Sequence, residues 1–400
     1  MLQKMAEIME YSELLDKAAE CEARCVRAAT RAPRRRFAGR RADLAAARVQ
    51  DPELRLVYVA CFAVGAYPSA ERTYKPFNPI LGETFELQKG EMRYIAEQVR
   101  PAAPRPSRSL RAHRPVSATQ VSHHPPVGAG HAKGKGWEYD ITSAPRTKFL
   151  GNSIDVYPVG RTRIRLRDEV YAIHPPQSRV NNILVGRTWV DHFGELTVEA
   201  LGSGLVCDLV FTECGWFGAG RYSVSGTMFG ADDTPRLALE GAWNKGLAYA
   251  RCAADGGVAD DAAWTDVWTA TPPLAGDASG FTAFAHSLNS GATAPPGMLP
   301  SDARLRPDRR ALQDGERGRA GAAKHEVEEQ QRAERRRREE QGAPWVPRWF
   351  RIATEADNNE EVDTDIWEFT GAYAERPAPA TGAPPPDLDA LAFSPWQFSD

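Results

Sequence analysis

The sequence predicts a mainly β fold with flanking helices. Three observations lead there. From about Thr84 to Trp268, short runs of β-branched and aromatic residues are punctuated by Gly, Pro and Asn. These runs follow one another closely, with no helix-length stretch between them, which argues for an antiparallel sheet or barrel and against alternating βαβ units. Helical spacing is found only before and after this region.

Taken in order, Leu2 to Glu22 carries an apolar stripe of Leu2, Met5, Met9, Leu14 and Leu15 among charges, the pattern of one amphipathic helix. From Asp51 helical spacing returns, and Leu54 to Ala66 reads as a buried helix. Strands are expected at Ser153–Val159, Arg161–Leu166, Asn182–Val190, Glu195–Val198 and Leu205–Thr212. Phe281 to Leu288 resumes helical character. Lys324 to Gln341 is a long charged helix with almost no apolar stripe. Trp345, Trp349 and Phe350 restart packing, and residues 373–400, with the Pro/Ala-rich run Pro377–Pro386, read as a flexible tail.

Two segments break the pattern. Ala23 to Gln50 holds nine arginines against one aspartate, and Gln98 to Thr119 holds five arginines, four prolines and no acid. Neither has the apolar periodicity that offsets the entropy of ordering, so residues 23–50 and 98–119 are expected to be disordered insertions.

The 400 residues are 42% hydrophobic and 26% charged with a net charge of −3, ordinary globular values that exclude a polycation seeking nucleic acid. The longest uncharged apolar run, Leu56 to Tyr67, is too short to span a bilayer. The N-terminus lacks the order of a secretory signal, and six cysteines do not make a disulfide scaffold. Cys21/Cys25 and Cys207/Cys214 lack paired metal-ligand spacing, so buried or free thiols are expected, with no metal and no cofactor. A cytoplasmic location follows.

Three groups of residues carry chemistry. His123 and His124 are adjacent and followed by Pro125-Pro126, which ends a strand; only at such an end do two neighbouring imidazoles converge on one ligand. Near an anion they gain protons and donate. A pair of satisfied, partly buried histidines, or a metal site, are the other readings. Lys324, Glu328 and Arg332 are spaced to lie along one helix face, with Glu328 able to pair with either neighbour; an ordinary solvated charged helix has the same pattern. Lys75 and Asn78 bracket Pro76, either as phosphate donors or as a plain turn.

Several segments together resemble the oxysterol-binding protein family. Lys75-Pro-Phe-Asn-Pro-Ile-Leu-Gly-Glu83 resembles its KPFNPxLGE segment, and Gln120-Val-Ser-His-His-Pro-Pro126 its EQVSHHPP fingerprint. Lys148-Phe-Leu-Gly-Asn-Ser153, Tyr157-Pro-Val-Gly-Arg161, Asn182-Ile-Leu-Val-Gly-Arg-Thr-Trp189, Cys214-Gly-Trp-Phe217, Arg304-Leu-Arg-Pro-Asp308 and the Lys324–Arg338 helix follow in the family's order. An ordered series is far more specific than any one motif. The resemblance covers roughly residues 1–372. It implies an incomplete antiparallel β-barrel around a hydrophobic tunnel, and a non-enzymatic carrier that exchanges phosphatidylinositol 4-phosphate for a sterol, with phosphatidylserine as another cargo. It also implies peripheral contact with anionic intracellular membranes. The implied headgroup site comprises Lys75, the Phe77 backbone amide, Asn78, His123, His124, Lys324, Glu328 and Arg332.

The chain departs from the family pattern in places. Relatives have a lid and first strand upstream of where this sequence begins. Thr119 stands where the fingerprint has Glu, yet deleting Gln98–Thr119 joins Glu97 to Gln120 and restores it; deleting Ala23–Gln50 likewise restores the family's reading at Glu22-Asp51. Both arginine-rich segments therefore read as insertions: either non-coding sequence carried over when exons were joined, or basic loops that attract anionic membranes. No separate phosphoinositide-binding domain precedes the barrel, and no acidic two-phenylalanine receptor motif is evident. The rivals to lipid transfer are a phosphoinositide sensor or scaffold, and a hydrolase with a histidine base; for the latter no nucleophile is placed beside the imidazoles.

Overall fold

The computed structural model of the chain describes residues 2–20, 52–72, 77–99, 126–253, 255–354, 364–373 and 393–396. Both arginine-rich segments lie outside these residues, apart from Gln98 and Val99. That pair is a correction: both belong to a strand, with Val99 fully buried and paired to Val127.

The expected N-terminal helix is also corrected. It is α1 (Leu2–Ala6), a 3-10 turn (Glu7–Tyr11), then α2 over residues 12–20. The break has a cause in packing: the Met9 and Glu10 carbonyls accept from Lys89 Nζ at 3.1 and 2.7 Å. α3 (Pro52–Val64) opens on proline, whose missing N–H costs nothing in a first turn. Eight of its residues are buried.

The middle of the chain forms one antiparallel sheet of 15 strands. They are β1 (Thr84–Lys89), β2 (Met92–Val99), β3 (Val127–Gly134), β4 (Trp137–Ser143), β5 (Arg146–Phe149), β6 (Ser153–Tyr157), β7 (Gly160–Leu166), β8 (Glu169–His174), β9 (Gln177–Asn181), β10 (Trp189–Ala200), β11 (Val206–Phe211), β12 (Ser223–Phe229), β13 (Pro235–Ala242), β14 (Gly246–Arg251) and β15 (Thr265–Thr269). The order is β1-β2-β3-β4-β7-β8-β10 and onward to β15, with β5-β6-β9 as a branch on β10. The mainly β, antiparallel class therefore holds, and the sheet is open, with β1 and β15 as its outer strands.

Asn182–Val190, expected as a strand, is mostly loop; only Trp189 and Val190 join β10. Its apolar run Ile183-Leu184-Val185 looks like a strand by composition. Asn152 overrides that: its Oδ1 accepts from the Leu184 and Val185 amides, both at 3.0 Å, and ladder pairing is forgone.

Strand alternation sets the core. In β11, Cys207, Leu209 and Phe211 point inward and are buried. They join Phe62, Tyr139, Leu196, Leu239 and the three N-terminal helices in one cluster. β2 is buried on both faces over most of its length. A second cluster covers its other face: Ile95 and Val127 against Trp349, Phe350 and Trp367. The last three belong to or adjoin a small hairpin, β16 (Phe350–Ile352) with β17 (Trp367–Phe369).

Three further helices follow the sheet: α4 (Ala283–Ser290), α5 (Pro307–Gln313) and α6 (Arg317–Gln341). α6 starts earlier than its charge pattern suggested, and it buries only Ala320 and Val327. The outer edge of β1 is not left open: Thr84 N donates to Ser301 O at 2.8 Å, and Glu86 N to Asp302 Oδ2 at 2.8 Å. The supposed tail beyond residue 372 is partly packed. Tyr373 is buried with its hydroxyl on Glu86 at 2.8 Å, and the Phe393 ring centre lies 3.6 Å from the Arg348 guanidinium. Pro377–Pro386 lies outside the described residues.

Antiparallel order sorts the connections to two ends of the sheet. One end holds the residues before β1, the β2–β3 connection, the β5–β6 turn, the β9–β10 loop and the β11–β12 loop. The opposite end holds the turns at 90–91, 135–136, 167–168, 201–205 and 230–234.

Candidate functional site

Three side chains, Arg306, Asp308 and Glu83, fix the segment Phe77–Glu83 that leads into β1. Arg306 is fully buried. Its Nη1 donates to the Asn78 carbonyl at 2.7 Å and to Glu83 Oε2 at 2.8 Å, while Nε and Nη2 fork onto Asp308 at 2.8 and 2.9 Å. Glu83 in turn accepts from the Ile80 amide at 3.0 Å. The forked geometry suits a guanidinium and not an ammonium. The segment is then tied to β2: Gly82 N donates to Gln98 O at 3.1 Å, and Gln98 N to Glu83 O at 2.8 Å. Gly82 has φ +78°, and a Cβ there would lie 2.7 Å from the Trp345 ring, so only glycine fits.

α6 crosses this floor. Lys324 Nζ is 5.9 Å from the centre of the Phe77 ring. Glu328 pairs with both of its neighbours along the helix, Lys324 and Arg332, each at 3.8 Å, which confirms the shared face. Arg332 also pairs with Glu329. Two turns separate Lys324 from Arg332, about 12 Å of helix. Arg332 lines a cavity of about 1040 Å³ together with Pro79, Leu81 and Pro126. Arg335, Arg338 and Arg351 also face it, against Glu334 and Glu339, so its charged lining is net positive. Trp345, Phe350 and Phe393 form an apolar side. The cavity is thus basic along one wall and aromatic along the other, the lining that an amphiphilic phosphate ester needs.

Glu97 closes the site from beneath. Its carboxylate accepts from the Arg348 and Trp349 amides, both at 3.0 Å, and so holds the aromatic wall against β2. Burial pushes this carboxyl up to about 7, against the pull of those two amides and of the Arg348 charge.

Of the eight residues singled out from sequence, Phe77, Asn78, Lys324, Glu328 and Arg332 are described, and all five lie on the floor or on the helix above it. Lys75, His123 and His124 lie outside the described residues. Among the described residues no cluster of His, Cys, Asp or Glu is placed to hold a metal ion. Sequence reasoning gave no site role to Arg306, Arg335, Arg338 or Glu97. For the second and third the signal was present, since helical spacing from Arg332 carries the basic run on toward Trp345. Arg306 lay within the Arg304–Asp308 motif, but its link to the floor was hidden because Asn78 and Glu83 are distant in sequence.

Residues 42–378 match the family described as oxysterol-binding protein. The chain belongs to that family. Oxysterol-binding protein-related protein 3C of Arabidopsis thaliana is 40% identical over 407 aligned residues, which take in 100% of this chain and 78% of that protein. Oxysterol-binding protein homolog 2 of Saccharomyces cerevisiae is 33% identical, and there the match takes in 93% of this chain but 27% of the yeast protein. The crystal structure of the Osh1 ORD domain in complex with cholesterol superposes with a TM-score of 0.70 at 29% identity, covering 93% of this chain and 80% of that one. The Osh3 ORD in complex with PI(4)P from Saccharomyces cerevisiae gives 0.64 at 25% identity, covering 92% and 82%. The likeness to these ORD structures thus extends over more than nine-tenths of the chain.

Proposed function

We propose that this chain is a non-enzymatic lipid-transfer domain that takes phosphatidylinositol 4-phosphate in a headgroup clamp and exchanges it for a sterol between membranes. The observation that carries this is the placement of the α6 basic face over the Phe77–Glu83 floor, with Arg332 and Pro126 on one cavity. The parts of His123 and His124 in the clamp rest on the fingerprint resemblance alone. Lys324 and Arg332 on the helix and Asn78 on the floor, together with Lys75, His123 and His124 as the family motifs imply, make a set of donors matched to a headgroup with two phosphates. Glu328 keeps the two cations on one face and remains free to accept from an inositol hydroxyl. The related ORD structures that hold cholesterol, ergosterol and PI(4)P support both cargoes. Phosphatidylserine is a further candidate cargo. Among the described residues no helix is long and apolar enough to cross a membrane, and membrane contact is proposed to be peripheral.

The test is extraction from vesicles. His123→Ala with His124→Ala abolishes removal of phosphatidylinositol 4-phosphate and spares sterol binding, because a sterol has one small polar end. Normal extraction by the folded double variant overturns the clamp. Binding of the headgroup with no movement of either labelled lipid between two vesicle populations makes the protein a sensor instead. Release of phosphate or fatty acid makes it a hydrolase.

A further inference from the structure

Six large apolar side chains stand exposed on three loops at one end of the sheet: Phe149 and Leu150, Leu184 and Val185, Trp216 and Phe217. The last two are 89% and 105% exposed. A side chain at full exposure has no protein wall beside it, so whatever covers these rings must supply all of their burial. The loops are not separate. Asn152 accepts from the Leu184 and Val185 amides and donates to the Val185 carbonyl at 3.1 Å, joining the first two. Cys214 N donates to Asp191 Oδ2 at 2.8 Å and Arg221 stacks 4.7 Å from the Trp189 ring, joining the third to the strand that follows the second.

Phe217 also holds a positive φ of 60°, a conformation costly for any residue with a side chain. The tip therefore combines backbone strain with a fully exposed ring.

Charge identifies the occupant. Residues 146–152, 182–188 and 212–222 contain Arg146, Lys148, Arg187 and Arg221 against one acid, Glu213, which pairs with Arg179 at 2.6 Å. The turns at the opposite end contain Glu91, Asp168, Asp232 and Asp233 against Lys135 and Arg167. The apolar, basic loops lie at the end of the sheet that also carries the Phe77–Glu83 segment and the β2–β3 connection. A tryptophan, a phenylalanine and aliphatic side chains on raised tips, ringed by cations, suit the interfacial layer of a bilayer, where amphipathic rings and basic residues both gain.

We infer that these three loops are the surface by which the protein seats itself on an anionic bilayer, with Trp216 and Phe217 inserted among the headgroups. The inference rests on the lipid-carrier reading, since a carrier must meet the bilayer with the headgroup site on the membrane side.

The experiment is flotation of the full chain with protein-free vesicles of phosphatidylcholine and phosphatidylserine that lack any phosphoinositide. The wild-type protein floats, and Trp216→Ala with Phe217→Ala weakens partitioning by roughly a hundredfold. Leu184→Asp with Val185→Asp, on a different loop, weakens it too and serves if the first variant misfolds. Leu201→Ala, an exposed leucine at the opposite end, leaves flotation unchanged. Wild-type protein that fails to float, or folded Trp216/Phe217 variants that float like wild type, overturn the inference. So does equal weakening by Leu201→Ala, or binding to native membranes only when their proteins are present. Binding of water-soluble, short-chain phosphatidylinositol 4-phosphate is measured on the same samples. Its loss in wild type sinks the carrier reading; its survival in the loop variants shows the headgroup site intact.

Discussion

Arg306 Nη1 lies 2.7 Å from the backbone carbonyl oxygen of Asn78. Through this contact the Arg304–Asp308 motif, which carries no side chain into the cavity, sets the position of the segment beneath the proposed headgroup. Buried arginine between two buried carboxylates also concentrates charge where it is costly to unbalance.

Arg306→Met leaves Glu83 and Asp308 buried without their counter-charge, and should cost about 3–5 kcal/mol in denaturant unfolding. Arg351→Met removes a pair with Glu368 of similar geometry at 2.6 Å but on an exposed side chain, and should cost under about 1 kcal/mol. Equal costs for the two would show that the Arg306 network is not structural.

Arg332→Glu should weaken phosphatidylinositol 4-phosphate binding more than Arg332→Ala. Alanine loses a charge-assisted bond, roughly 1.5–3 kcal/mol; glutamate adds repulsion of the phosphate and of Glu328 and Glu329. Titration with the short-chain lipid decides it, and equal affinities place Arg332 outside the site.

Glu97 gives a pH signature. Its carboxyl is held at about 7 against an ordinary 4.5, chiefly by burial. Between those values the folded state keeps a proton that the unfolded chain has released, so the Glu97 contribution is full below pH 4.5 and is lost as pH rises to about 7. The span corresponds to about 3 kcal/mol. His192, pushed down to about 3 by burial, works in the opposite sense, its contribution being lost as pH falls below 6.5. The readout is therefore the difference between wild type and Glu97→Gln, which should change slope between pH 4.5 and 7. Parallel stability profiles refute the assignment.

Cys61 and Cys207 are fully buried, and burial pushes both thiols up, whereas Cys214 and Cys252 are partly exposed. A thiol reagent followed by peptide mapping should label Cys214 and Cys252 in the native protein, and Cys61 and Cys207 only on unfolding. Native labelling of Cys207 would mean that β11 opens locally.

The strands were legible because alternation and turn residues are local signals. Where local composition met a side chain from elsewhere, the reading slipped: Lys89 broke the first helix, and Asn152 turned Ile183–Val185 into a loop. The floor and the helix face were legible through the ordered series of motifs; spacing alone left Lys324 and Arg332 as an ordinary charged helix. Arg306 stayed hidden because its meaning lies in Asn78 and Glu83, and no periodicity links residues so far apart. Phe393 was lost for the same reason: a short anchor after a Pro/Ala-rich run has no partner in view until Arg348 and Trp345 are folded beside it.

Sheet order has a consequence for synthesis. Eleven of the fourteen later strands lie beside the strand made just before them, β5, β7 and β9 being the exceptions, so for most strands a chain leaving the ribosome finds a partner already waiting. The proposed clamp does not follow that rule. Its floor lies before β1, yet Arg306, which grips that floor, and the α6 cations above it come from the far end of the chain. A nascent chain arrested after β15 would hold a sheet without the proposed headgroup site, which only α6 and the residues after it would complete. Under the proposed function, stalled or truncated products should be unable to strip phosphoinositide from the membranes they meet, so that loading is timed to release.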